Sequence, residues 1–300
     1  MVFAPPQRLV KALGETAPDG DGWLERLPDT LRQAVALREL TVDRIQVPGG
    51  RSSLVVLVRR ADGTPAVLKL APPRFRPEAE RAALVHWDGL GAVQPLDGPE
   101  TAGALLLERL HPDVSVRSLP EAKALLEAAG TLRRLWVEPP AGRVFETVAE
   151  RTGRQAEAMR STAVGSEVAA AGLVDAALAA REELVGTAPE VRLLHGTFRQ
   201  SKVLAAERSP WLAVGPDPVV GECAFDLARL VRDRVEDLIG SPSGAATTRR
   251  RVRKLAESLE LDAERVRGWT LFRAVESGVR ALRVGRPRDA ELLLEFAGWL

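Results

Sequence analysis

Apolar residues recur at helical spacing from Leu31 to Leu40, and then the period changes. The segments TVDRIQV, SLVVLVRR and PAVLKL are short, β-branched and apolar, with turn residues at Pro48–Gly50 and Ala61–Gly63 between them, which predicts an antiparallel meander. RPEAERAALVHWDGLG returns to a helical period at Ala79, Ala83 and Trp87, with acidic residues in its first turn and Gly89 beyond its end. AVQPLD and GALLLERL read as two further strands. From Leu119 onward the pattern is mostly helical, interrupted by VRLLHG, KVLAA and WLAVG, which are too short for helices. Residues 143–186 are alanine-rich and amphipathic and predict two helices with a break near Gly165 or Gly172. DAERVRGWTLFRAVESGVRALRVG and DAELLLEFAGWL predict two more, each opened by an aspartate able to cap it. The pattern changes near Glu108, so the chain divides into residues 1–107, an α+β domain, and residues 108–300, a mostly helical one.

Composition narrows the class. With 45% hydrophobic and 28% charged residues in 300, the chain can bury substantial cores, and disorder is excluded. A formal net charge of +1 spread along the chain gives no footprint for nucleic acid or an anionic membrane. The run TTRRRVRK, Thr247–Lys254, lacks aromatic neighbours for base stacking and reads as the solvated start of a helix. Cys223 is the only cysteine, which excludes an intrachain disulfide and a cysteine-rich metal site. There is no apolar run of membrane-spanning length and no leader-like N-terminus, so a cytoplasmic location is expected.

The chemistry enters with a set of longer motifs: DGWLERLP, GG followed by DGTPAVLKLAPP, then WDGLGAV, GALLLERL, LRRLW, LLHG, VLAAERSPWLAV and PVVGECAFDLARLVRDR. Together they resemble the aminoglycoside/hydroxyurea antibiotic resistance kinase family, streptomycin kinases in particular, over nearly the whole chain. The resemblance implies a protein-kinase-like two-lobed fold: an N-terminal antiparallel sheet with one helix, and a mostly helical C-terminal lobe, meeting at a cleft.

It also implies site residues. Lys69 would reach nucleotide phosphates and Glu80 would hold it; the alternative makes Lys69 a strand-surface lysine and Glu80 a solvated helix residue. Gly49, Gly50, Ser52 and Ser53 would form a turn over the phosphates, or an ordinary hairpin turn. Glu108 to Leu110 would connect the lobes and meet the adenine. His195 would brace the catalytic loop, Asp226 would buttress it, and His86 and His111 read as surface or satisfied polar residues.

The catalytic motif departs from the family. Where the family reads HGDLHPGNVL, this chain reads HGTFRQSKVL, so Thr197 stands at the catalytic Asp position and Lys202 at the metal-binding Asn. Where the family reads WLAIDPKP, Gly215 replaces the second metal-binding Asp. A threonine hydroxyl is too weak a base to replace general-base catalysis, typically worth about 10²- to 10⁴-fold. Magnesium loses its ligands at both positions, and Lys202 would repel it while neutralising phosphate oxygens itself. Asp217 could rebuild a metal ligand after a small backbone shift, against the stiffness of Pro216 and Pro218; Glu222 reads as solvated.

The expectation is therefore a catalytically impaired homologue, a pseudokinase, binding ATP or another nucleotide without magnesium, or a small molecule, and holding no intrinsic metal. The alternatives are an active ATP-dependent phosphotransferase acting on a hydroxyl of an aminoglycoside-like antibiotic or metabolite, and a partner-binding scaffold. The sequence leaves any protein partner unknown.

Overall fold

The computed structural model describes residues 4–17, 20–99, 103–142, 145–163 and 168–300. In chain order the elements are α1 (Gln7–Thr16), α2 (Trp23–Leu37), β1 (Thr41–Ile45), β2 (Leu54–Arg59), β3 (Pro65–Leu70), α3 (Pro77–Trp87), β4 (Ala104–Glu108) and β5 (His111–Ser115). They continue with α4 (Glu121–Leu135), α5 (Val148–Ala163), α6 (Val168–Gly186), β6 (Arg192–Leu194), β7 (Val203–Ala205), β8 (Trp211–Ala213) and β9 (Val219–Gly221). The last are α7 (Cys223–Val231), α8 (Val235–Ile239), α9 (Gly244–Ser258), α10 (Ala263–Arg283) and α11 (Pro287–Ala297). No helix among the described residues is long and apolar enough to cross a membrane.

Two compact units result. The first comprises Met1–Val114 and Leu204–Asp217, the second Ser115–Val203 and Pro218–Leu300. Residues 108–114 and 204–217 thus group with the N-terminal part of the chain.

In the first unit β1, β2, β3 and β4 form an antiparallel sheet in sequence order. Alternation puts Leu54, Val56 and Val58 of β2, Ala66, Leu68 and Leu70 of β3, and Leu106 of β4 on one face, where Leu9, Leu13, Trp23, Leu27 and Leu31 of α1 and α2 bury them. Lys69, one residue out of phase, lies on the opposite face, in register with Val55 and Leu105. AVQPLD forms only isolated bridges, Ala92 with Ala213 and Pro95 with Leu107, and not the strand its apolar pattern suggests. Pro95 has no N–H to continue a ladder. A small sheet of β5, β7 and β8 completes the unit.

The second unit is built around α10, whose Val266, Trp269, Phe272, Val275 and Val279 are buried and which packs against α5, α6, α7, α9 and α11. Asp262 caps it as the sequence suggests, its Oδ1 accepting from Glu264 N at 2.7 Å and Arg265 N at 3.0 Å. Asp289 does not cap α11; it lies inside the first turn, where Pro287 takes the opening position. Residues 143–186 contribute α5 and α6. Gly172 lies within α6, and Gly165 falls outside the described residues. The arginine run 247–254 sits inside α9 and is not wholly solvated: Arg251 is buried, donating to Val231 O and Asp233 O and pairing with Glu121.

Candidate functional site

In the first unit the two residues expected to meet a nucleotide are an ion pair. Lys69 Nζ on β3 bonds Glu80 Oε2 on α3, with side chains 12% and 5% exposed. Glu80 is reached because α3 begins directly after the turn that follows β3, with Pro77 at its first position and Glu78 and Glu80 in the turn where the helix dipole favours negative charge. Neither residue of the pair is a solvated surface group.

Residues 46–53 join β1 to β2 by a loop longer than a two-residue hairpin turn. Gly49 has φ +71°, and a Cβ there would lie 2.9 Å from Gln46 O, so the turn needs glycine. Gly50 and Ser52 are partly buried and Ser53 is 5% exposed. Arg51 reaches out of this loop to Glu15 Oε2 of α1 at 2.5 Å, tying it to the helix beneath the sheet.

The connector after β4 is clamped. Glu108 N donates to Gln94 O at 3.0 Å, and its carboxylate accepts from Arg208 Nε and NH2 and from Gln94 N. Arg208 also donates to Gly89 O and Ala92 O. Arg109 bonds Ala66 O and Asp43, and Leu110 is buried. Arg208 is absent from the sequence-based site, because it lies 100 residues from the glutamate it holds. His86 and His111 are exposed, and His111 Nε2 lies 2.9 Å from Glu207.

Gly215 and Asp217 also belong to the first unit. Gly215 has φ +62°, a left-handed conformation that suits glycine and is tolerated by aspartate and asparagine better than by other residues. Asp217 Oδ1 accepts from Arg76 NH2 at 2.5 Å, so the carboxylate considered as a rebuilt metal ligand already has a guanidinium partner. Glu222, in the second unit, is not solvated but 2% exposed. Arg265 grips it from two nitrogens at 2.6 and 2.7 Å and Trp269 Nε1 donates to it at 2.5 Å. Among the described residues no group of three or more His, Cys, Asp or Glu could hold a metal ion.

The loop after β6 is braced from α7 and the turn that follows it. Asp226 is fully buried and accepts from His195 N at 2.7 Å and Gly196 N at 2.9 Å. Burial pushes its carboxyl above the usual range, against the pull of Arg273 and the two backbone N–H groups. Seven residues on, Asp233 Oδ2 accepts from Gln200 N at 2.6 Å, and burial raises its carboxyl too. Arg273 of α10 donates to Gly196 O and Phe225 O and lies 4.1 Å over the Phe225 ring. His195 is completely buried, edge-on to Phe198, with its Nδ1 3.3 Å from Thr197 N. Within this rigid loop Lys202 Nζ donates to Thr197 Oγ1 at 2.6 Å. The two substituted positions of the motif therefore satisfy each other.

Chemically, the first unit offers a buried ammonium held by a carboxylate, on the strand paired with the one that follows a glycine-bearing loop. The second offers a hydroxyl already bonded to a cation, where a general base would need a free acceptor. The side chain of Lys202 and that of Gly215 each carry no oxygen with which to ligate a magnesium ion.

The comparisons with known proteins agree with this layout. The model of a family described as aminoglycoside/hydroxyurea antibiotic resistance kinase matches residues 38–285. A streptomycin 6-kinase of Streptomyces glaucescens is 36% identical over 271 residues, 90% of this chain and 86% of its own length. A streptomycin 6-kinase of Streptomyces griseus is 37% identical over 286 residues, 92% of each, and a hydroxyurea phosphotransferase of Kitasatospora aureofaciens is 36% identical over 269 residues, 83% of this chain and 74% of its own. Among solved structures, aminoglycoside phosphotransferase APH(4)-Ia aligns with TM-score 0.63 at 15% identity, covering 91% of this chain and 97% of its own. Choline kinase LicA from Streptococcus pneumoniae aligns with TM-score 0.61 at 12% identity, covering 90% and 99%. At those identities the likeness is one of fold, and the fold is protein-kinase-like.

Proposed function

The chain belongs to the aminoglycoside/hydroxyurea antibiotic resistance kinase family, and from that premise we propose that it is a ligand-binding member in which phosphoryl transfer has been lost. The observation that carries this reading is the 2.6 Å bond from Lys202 Nζ to Thr197 Oγ1. A hydroxyl that accepts from an ammonium is a still poorer base, and the ammonium repels the divalent ion that the family motif would hold nearby. General-base catalysis is typically worth about 10²- to 10⁴-fold and a metal's charge stabilisation several kcal/mol. Neither has a replacement among these residues.

Binding is a separate matter from transfer. Lys69, held by Glu80, offers a positioned charge for nucleotide phosphates, Gly49 and Gly50 offer backbone N–H groups, and the clamped segment Glu108 to Leu110 offers a fixed backbone edge for a base. A bound nucleotide would bring its own phosphate charge, which Lys69 would neutralise in part. Solved structures of the same fold hold such ligands: one of APH(4)-Ia contains ADP and hygromycin B, and APH(3'')-Id from Streptomyces rimosus contains ADP and streptomycin.

A second reading is favoured by the relatives' names: an active phosphotransferase acting on a hydroxyl of an aminoglycoside-like antibiotic, since two streptomycin 6-kinases match over about nine-tenths of this chain. One experiment separates the two. Purified protein is incubated with ATP, magnesium and streptomycin or hydroxyurea, and products are read by mass spectrometry. No phosphorylated product is expected; turnover at about 1 per second or faster, the ordinary range for kinases, would overturn the first reading and establish the second. Calorimetric titration of ATP with magnesium and with chelator is expected to give equal affinities, whereas no binding in either condition would point to a scaffold.

A further inference from the structure

A cleft of about 280 Å³ opens within the first unit, bounded by the end of α2, by α3, and by β4 with the residues 95–99 that precede it. It lies beside the Lys69–Glu80 pair without including it. Leu105, one of its walls, is the cross-strand partner of Lys69, and α3, another wall, carries Glu80. The lining mixes two kinds of surface. Val85, 53% exposed, and the half-buried Leu96 give it apolar area, while Arg38, Arg81, Glu78 and Asp97 bring two positive and two negative charges. Ligand pockets are ordinarily about 300–1,000 Å³, so this one suits a compact occupant.

Arg38, which closes α2, is the incompletely satisfied group in that lining. Its NH1 reaches Ala34 O at a long 3.4 Å, and its Nε is buried with no hydrogen-bond partner. Among the described residues it forms no ion pair. A buried charged donor left unmade carries its full desolvation cost, and an anion that accepts from it recovers that cost. Gly98 shows why the nitrogen stays uncovered. A Cβ there would lie 3.9 Å from Arg38 Nε and 4.0 Å from Leu106 Cδ2, so the chain passes the guanidinium with no side chain in the space before it.

We propose that this cleft is a binding site for a compact monocarboxylate with an apolar body, its carboxylate accepting from Arg38 and its body lying against Val85 and Leu96. A guanidinium's fork of donors matches a carboxylate, and the apolar walls favour a body that water does not. One negative charge suits the place better than two. Glu78 and Asp97, both exposed, line the same cleft and oppose a dianion such as phosphate. An occupant here bridges α3 and β4, the two elements next to the Lys69–Glu80 pair, and so stiffens the setting of that pair. The site depends neither on nucleotide binding nor on loss of transfer.

The test is calorimetric and thermal-shift titration of the full chain with benzoate, against benzamide as its neutral isostere and inorganic phosphate as a dianion, all at matched ionic strength. Benzoate is expected to bind with a Kd of about 1 mM, within reach of so small a molecule, and to raise the melting temperature, with benzamide and phosphate each at least about tenfold weaker. Arg38→Gln is expected to weaken benzoate at least about tenfold, the loss of one charge-assisted bond, and to leave benzamide unchanged. Gly98→Leu fills the space before the guanidinium from an exposed position and is expected to abolish benzoate binding; it serves if Arg38→Gln does not fold. Benzoate that fails to saturate by about 10 mM, equal affinities for benzoate and benzamide, or benzoate affinity unchanged in both variants overturns the proposal.

Discussion

Replacing Lys69 by Met separates what the Lys69–Glu80 pair does for the fold from what it does for a ligand. Both side chains are nearly buried, at 12% and 5% exposure, and Glu80 Oε1 is buried with no hydrogen-bond partner, so Lys69 supplies most of the compensation for the Glu80 charge. Removing one partner of a buried pair costs about 3–5 kcal/mol, because the other charge is stranded. Replacing both with apolar residues of similar volume is often neutral. Lys69→Met is therefore expected to lose about 3–5 kcal/mol, and Lys69→Met with Glu80→Leu to recover most of it. Urea unfolding followed by tryptophan fluorescence reports the change, with Trp87 on α3 at 2% exposure as a local probe. ATP affinity should behave otherwise, falling about ten- to a hundredfold in both variants, as expected for a lost charge-assisted contact. A single-variant cost below about 1 kcal/mol, the range of exposed pairs, would refute the burial reasoning. Unchanged ATP affinity in the stable double variant would make the pair purely structural.

Glu222→Ala should cost about 3–5 kcal/mol in the same unfolding assay, since it strands Arg265 and the Trp269 N–H, whereas Asp217→Ala, at a more exposed pair, should cost less than about 1 kcal/mol. Gly215→Asp is expected to cost about 1 kcal/mol in the same unfolding assay, because position 215 has φ +62°. Burial would raise the Glu276 carboxyl, but Arg280, Arg232 and Arg273 together hold it below its ordinary value. Its contribution to stability is thus present above the unfolded value of about 4.3 and is lost as pH falls through the lower folded value. Glu276→Gln should flatten that acid-side loss in urea titrations between pH 3 and 6.

Local patterns carried much of the fold. The meander, the helix after it and the Asp262 cap follow from residues adjacent in sequence, and Lys69 and Glu80 are eleven apart on consecutive elements. What the sequence concealed depends on partners far along the chain. Glu222 looks like a loop glutamate until Arg265 and Trp269, 43 and 47 residues on, bury it; Asp217 looks available until Arg76, 141 residues earlier, takes it. AVQPLD has a strand's composition but only bridge-length pairing, because a strand needs a neighbour that composition does not supply.

Because Leu204–Asp217 folds with the first unit, that unit is not a continuous stretch of chain. A ribosome that has delivered Val114 has made the sheet but not Arg208, so the Glu108 carboxylate and the carbonyls of Gly89 and Ala92 wait for a side chain encoded about a hundred residues later. At ordinary synthesis rates that is a delay of about 5 to 20 s, during which the nascent first unit is incomplete and within reach of chaperones. A gene fragment ending at residue 114 should for the same reason give a product that fails to mature, even though it contains every strand of the larger sheet.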